Sequence, residues 1–195
     1  MSGGAAGAWP ALRDTDRDLA FALLFAPHER RDLLADRLNL ALECEAAIRI
    51  ASEPMLAAIR LQWWVEAIET GRHEQVPLML RLLARIESSR IDAAALIDQI
   101  GLWQDRLTSA PADAGACWAD CFALLAPDRT APARNIARSL YAGETPLSRD
   151  EIAGLKTPDT RWLWMLGRLA IHRRTGAPSE DPLLVWRMLR WRMFG

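Results

Sequence analysis

The chain has 195 residues, of which 51% are hydrophobic and 25% charged, and its net charge is −1. That length builds one sizeable core and gives no ground for two domains. The near-neutral balance carries no global field toward nucleic acid or an anionic surface, so nucleic-acid binding is not expected.

In chain order, residues 1–13 (MSGGAAGAWPALR) read as a flexible tail ahead of a single helical domain over 14–195. Apolar residues recur at spacings of three and four, and no alternating β-branched run marks a strand, so the expected class is all-α. Asp14, Thr15 or Asp16 caps a first helix through about Phe25, and Pro27 breaks it. A second helix covers about 28–50. Ser52 caps a third, with Pro54 tolerated in its first turn and Gly71 as its stop. Further helices are expected over 76–88, 92–108, 113–125, 131–142, 159–174 and 181–193, punctuated by prolines. The stretches 109–115 and 143–158 are the most loop-like. No apolar run reaches the roughly 18 residues of a spanning helix.

Three cysteines, Cys44, Cys117 and Cys121, form no disulfide framework. With no secretory signal in the first residues, they point to a reducing, cytoplasmic location. Cys117 and Cys121 are four apart on a helix with no histidine nearby, which reads as core thiols rather than a metal pair. There are 23 arginines against the single Lys156, the mark of a GC-rich genome, and nine tryptophans against one tyrosine. So many tryptophans imply a filled core, an apolar cleft or an interaction surface.

On a helical wheel, Leu34, Leu38, Ala41, Glu45 and Ile48 share one face of the second helix, with Asp32, Asp36, Asn39 and Glu43 on the other. Glu45 is therefore an acid inside an apolar stripe. On the third helix, Leu56, Ile59, Trp63 and Ala67 form a stripe that Leu61, Trp64, Val65 and Ile68 widen to more than half the circumference. Such a helix is expected near the centre, with Trp63 largely buried. Arg60 lies inside that arc and needs a carboxylate, because an unpaired buried charge is very costly. Glu45 is the first candidate and Glu43, facing away, the second. The competing arrangement is a local Glu45–Arg49 pair one turn apart.

The segment SEPMLAAIRLQWWVEAIE, preceded by LAFALLFAPHERRDLLADRLNLALE, resembles the squalene/phytoene synthase family over residues 18 to about 70, most closely its short bacterial members. It is also similar to a related mitochondrial assembly factor for respiratory complex I. The resemblance implies a helical bundle of the isoprenoid-synthase type with a central cavity. In true synthases, two DxxxD-type motifs on facing helices hold Mg²⁺, which neutralises a departing diphosphate.

Here the pattern departs from the family. The first motif should fall near ALECEAAIR, where Glu43 and Glu45 lie on opposite faces, followed four residues later by Ala47 and Arg49. The acids of the second half, Asp113 and Asp120, SRDEIAG and SEDP, lack the spacing. Asp14/Asp18 and Asp32/Asp36 do match DxxxD. The first pair suits a helix start. The second sits on a polar face and is the weak alternative for a metal site; both pairs read as solvated.

The resemblance therefore implies a catalytically inactive relative, a pseudoenzyme without cofactor. It would help assemble a membrane respiratory complex, or bind an isoprenoid or other apolar ligand in a cavity lined by Glu43, Glu45, Arg60, Trp63 and Trp64. A Mg²⁺-dependent prenyltransferase and a ligand-free interaction subunit are the alternatives. In the last helix, Leu184, Met188 and Trp191 form a packing stripe, with Trp186 and Met193 opposite. That is either a helix simply docked on the body or one that also touches a protein partner or the inner membrane from the cytoplasmic side. For the latter, Trp186, Arg187, Arg190 and Trp191 are the candidate contacts.

Overall fold

The computed structural model describes residues 7–108, 114–143, 146–176 and 181–194; Pro111, Asp113 and Pro178 lie outside them. Among the described residues every regular element is a helix. In order they are α1 (Ala8–Thr15), α2 (Arg17–Leu23), α3 (His28–Ile50), α4 (Pro54–Thr70), α5 (Pro77–Glu87), α6 (Ala93–Thr108) and α7 (Ala114–Leu125). A 3₁₀ turn (Pro127–Arg129) leads into α8 (Thr130–Tyr141), followed by α9 (Arg149–Ala153), α10 (Arg161–Arg174) and α11 (Leu184–Phe194).

The N-terminal expectation needs correcting. From Ala8 onward the expected tail is helical and packed, with Ala8 and Leu12 buried. Trp9 Nε1 donates to the Ala20 carbonyl at 2.6 Å, and Asn39 Nδ2 donates to the Ala8 carbonyl at 3.0 Å. Two apolar positions one turn apart are too few for periodicity to register, yet enough to dock a short helix. Asp16 accepts from the Asp18 and Leu19 amides at 3.0 and 2.9 Å, so it caps α2 and separates it from α1.

The helix at the centre is α3, which packs on α1, α2, α4, α5, α6 and α7. Its expected polar face is therefore partly interior. Asp36 is fully buried, clamped by Arg81 Nε at 2.6 Å and by Arg85 Nη2 at 3.2 Å, both from α5. Burial raises the Asp36 carboxyl pKa; the hydrogen bonds and charges of Arg81 and Arg85 oppose the rise. Asp32, a turn earlier, is exposed.

The expectation that α4 is central and covered on two sides holds only in part. It buries Ala57, Leu61, Trp64, Val65, Ala67 and Ile68 against α3, α6 and α5, while Met55, Leu56, Ala58, Ile59 and Arg60 in its first two turns are exposed. Ser52 is not its cap: Glu53 occupies that place without a side-chain bond, and Pro54 starts the helix. Gly71 ends it at φ 69°, a left-handed conformation that costs glycine nothing.

In the second half, Trp103, Trp118, Phe122 and Trp162 meet edge to face in the core, and Tyr141 stacks on Trp118 at 4.4 Å. The first half of α10 is buried from Trp162 to Gly167, and Leu169 and Ala170 continue its buried face. A Cβ on Gly167 would come within 2.7 Å of Ile152 Cγ2, so the glycine is what lets α9 approach. Helix α9 arises inside a stretch read as loop; its signal is the Ser148/Glu151 capping box, S-x-x-E. All three cysteines are free and buried, and burial pushes the Cys121 thiol up to about 12.

Candidate functional site: a groove between α3 and α4

The turn at 51–53 brings the end of α3 against the start of α4. Between them lies a groove of about 410 Å³, walled by Glu43, Ala46, Ala47 and Ile50 from α3 and by Ile59, Arg60, Trp63 and Trp64 from α4. A shallower depression of about 620 Å³ flanks the other side of Ile59 and Trp63, reaching Gln104 and Leu107 of α6. Ile59 and Trp63 thus form a ridge with a trough on each side.

The local cause lies in the α4 sequence. Its apolar arc is wider than α3 and α6 together can cover, so part of it faces water. Ile50 is 60% exposed, Met55 71% and Ile59 59%, with Leu56 beside them. Large apolar side chains clustered this way mark a binding surface more than an ordinary exterior.

The two tryptophans divide the work differently from the expectation. Trp64 is buried and Trp63 is half-buried. Their rings meet edge to face at 5.2 Å and 80°. The expected Trp63–Ile59–Leu56 core stripe is therefore the open one, because the buried face follows Ala57, Leu61, Trp64 and Ile68.

Arg60 does not pair with Glu45. It is exposed and makes no ion pair among the described residues. Arg60 lies on the exposed side of α4, between Ile59 and the buried Leu61, so the guanidinium stays solvated and needs no carboxylate. Glu43, ranked second, is the acid that lines the groove with Arg60, though not within ion-pair distance. Glu45 is half-buried on the side facing Tyr141. Burial raises the Tyr141 hydroxyl pKa well above its usual value, and the charges of Asp16 and Glu45 add to it. Arg49 is exposed, and no Glu45–Arg49 pair forms.

Of the acid pairs matching DxxxD, Asp14 bonds Arg13 at 3.0 Å, and Asp18 pairs with Arg173 of α10. Asp32 and Asp36 are separated by exposure and by the α5 clamp, so neither pair is simply solvated as expected. Among the described residues no three of His, Cys, Asp and Glu converge as metal donors. Among the described residues the lining of the α3–α4 groove offers apolar area, one guanidinium and one carboxylate, without hydroxyl, thiol or imidazole. That is chemistry for holding an apolar chain with a polar end.

The terminal helix splits its four candidates. Trp186 and Arg190 face outward. Arg187 Nε is tied to Asp181 at 2.7 Å. Trp191 turns inward, set edge to face on His172 at 5.5 Å with the Arg168 guanidinium over its ring at 5.2 Å, so it is not available as a surface contact. No helix among the described residues is long and apolar enough to cross a membrane. Sequence reasoning missed Ala46, Ala47 and Ile50 as lining and placed Ile59 in the core. The available signal was an apolar residue on each side of the 51–53 turn with no apolar stretch long enough to cover both.

No family model, no curated protein and no solved structure matches the chain.

Proposed function

We propose that the chain is a non-catalytic relative of the squalene/phytoene synthases that keeps an isoprenoid-synthase-like helical scaffold and binds one apolar chain, isoprenoid or acyl, in the α3–α4 groove. The observation that carries the reading is the ridge of Ile59 and Trp63 standing open above a trough of about 410 Å³. That volume lies within the roughly 300–1,000 Å³ usual for small-molecule sites. Arg60 at the lip suits an anionic or hydroxyl end. The separated acids favour binding over diphosphate chemistry: Asp36 is held by two arginines, and Glu43 and Glu45 face different surroundings.

The test is titration of the full chain with farnesol and with a dansyl-labelled fatty acid, followed by tryptophan quenching and dansyl emission. The expected result is saturable binding that Ile59→Asp weakens by about tenfold to a hundredfold, the range set by losing one buried aliphatic contact of roughly 1.5–3 kcal/mol. Diphosphate release from farnesyl diphosphate with Mg²⁺ is expected to stay at background. Release abolished by Asp32→Ala or Asp36→Ala would establish the prenyltransferase alternative instead.

A second reading is favoured by Met55 and Leu56, which extend the apolar surface beyond the groove. A helix of a protein partner could lie along the same ridge, the arrangement expected of a factor that helps assemble a membrane respiratory complex.

A further inference from the structure

The terminal helix α11 is apolar on two opposite faces. The inner face docks: Leu184 and Met188 are buried, and Trp191 meets His172. Among the described residues nothing packs on the outer face, yet it carries Trp186, Leu189 and Met193, exposed by 71%, 38% and 69%. Leu183, just before the helix, and Phe194, at its end, are exposed as well, Phe194 by 81%. A helix held to its body by one stripe gains nothing in water from a second, so the outer stripe is built for another phase.

The charges point to which one. The segment LVWRMLRWRMF contains three arginines and no acid. Arg187 is neutralised by Asp181 on the docked side. Arg190 and Arg192 border the outer stripe on its two sides, and both are exposed without an ion pair among the described residues. Arg192 continues into a groove of about 300 Å³ whose lining includes Arg31 and Arg161 and no carboxylate. Arg31 donates to the Leu23 and Leu24 carbonyls and Arg161 to that of Lys156, bonds that orient the guanidiniums without cancelling their charge. Aromatic and sulfur side chains flanked by long cations that reach upward are the pattern of a helix lying in a bilayer interface. A protein partner would be expected to present matching acids to a smaller, more enclosed patch.

We infer that the outer face of α11 lies on an anionic phospholipid surface, with Trp186, Leu189 and Met193 in the headgroup–acyl boundary and Arg190, Arg192 and Arg161 on lipid phosphates. This goes beyond the groove reading and does not depend on it. The groove is formed where α3 ends, whereas Arg192 reaches the Leu24–Pro27 segment where α3 begins.

The test is co-sedimentation of the full chain with vesicles of phosphatidylcholine alone or of equal parts phosphatidylcholine and phosphatidylglycerol. The chain is expected to sediment with the anionic vesicles, to be released by high salt, and to stay in solution with the neutral ones. Arg190→Ala with Arg192→Ala should weaken partition about twenty-five-fold, from roughly a factor of five for each arginine near an anionic surface. Trp186→Ser with Met193→Ser should also remove it, and since all four side chains are exposed, circular dichroism should remain that of the wild type. Failure to sediment with the anionic vesicles overturns the inference, even if a protein is later found on this face. So does equal binding to neutral vesicles, or full binding by either double variant.

Discussion

Trp63 sets its ring edge to face against Trp64, centroids 5.2 Å apart; both line the α3–α4 groove, but they differ in exposure. Trp64 is core, packed where α4 meets α3 and α6; Trp63 is wall, half-open between two troughs. A pair of adjacent residues on a helix points about 100° apart, so one bulky aromatic can anchor the helix while the next shapes a surface.

The pair separates stability from binding. Trp64→Ala should cost about 3–5 kcal/mol, the range for truncating a buried tryptophan. Trp63→Ala should cost roughly 1–2 kcal/mol, in proportion to its smaller buried area, while reducing ligand-dependent quenching to what Trp64 alone contributes. Denaturant melts of both variants, run beside the dansyl titration, check this.

Asp36 is the main polar fixture of the interior. Asp36→Ala leaves Arg81 and Arg85 facing each other without their carboxylate. Both arginines retain some access to water, so the loss should lie near the low end for a broken buried pair, about 3 kcal/mol. Asp32→Ala, at an exposed site, should stay within about 0.5 kcal/mol. Urea unfolding distinguishes the two, and equal effects would contradict the clamp.

Glu45 and Arg60 should be energetically independent. A double-mutant cycle with Glu45→Ala and Arg60→Met is expected to give a coupling within about 0.5 kcal/mol of zero, the additivity of sites that do not touch. A coupling of several kcal/mol would mean that α4 packs more deeply against α3 than described above.

Asp181 should make the docking of α11 acid-sensitive. The Leu183 amide holds its carboxyl below the ordinary carboxylate value; burial opposes this, and Arg187 and His172 lower it further. A depressed pKa stabilises the folded form fully above the unfolded value and is lost as pH falls through the folded one. The protection of the amides in 184–194, that is their exchange relative to the unstructured rate at the same pH, should therefore fall as pH drops below the usual carboxylate range. Asp181→Asn should show faster exchange already at neutral pH and lose that extra acid dependence.

Much of the helical order was legible, because the signals are local. Gly71 stops α4, Pro27 precedes α3, and the Leu184–Met188–Trp191 spacing marks the face of α11 that packs. What was not legible depends on neighbours. Asp36 and Asn39 share a face with exposed acids, and only the arrival of α5 and α1 makes them interior. The wide apolar arc of α4 predicts cover on two sides without saying how far along the helix that cover extends. Periodicity reports how much of a helix is apolar, not whether the chain supplies enough partners to cover it. The groove exists because it does not.

The claim that the α3–α4 groove holds an apolar chain is tested most directly by photo-crosslinking the full chain with a diazirine-bearing fatty acid or farnesyl analogue and mapping the adducts by peptide mass spectrometry. The account predicts labels on the peptides carrying Ala46 to Ile50 and Ile59 to Trp64, competed by unlabelled farnesol and lost in Ile59→Asp. Competable labelling confined to other helices, or labelling that competitor does not reduce, would contradict it.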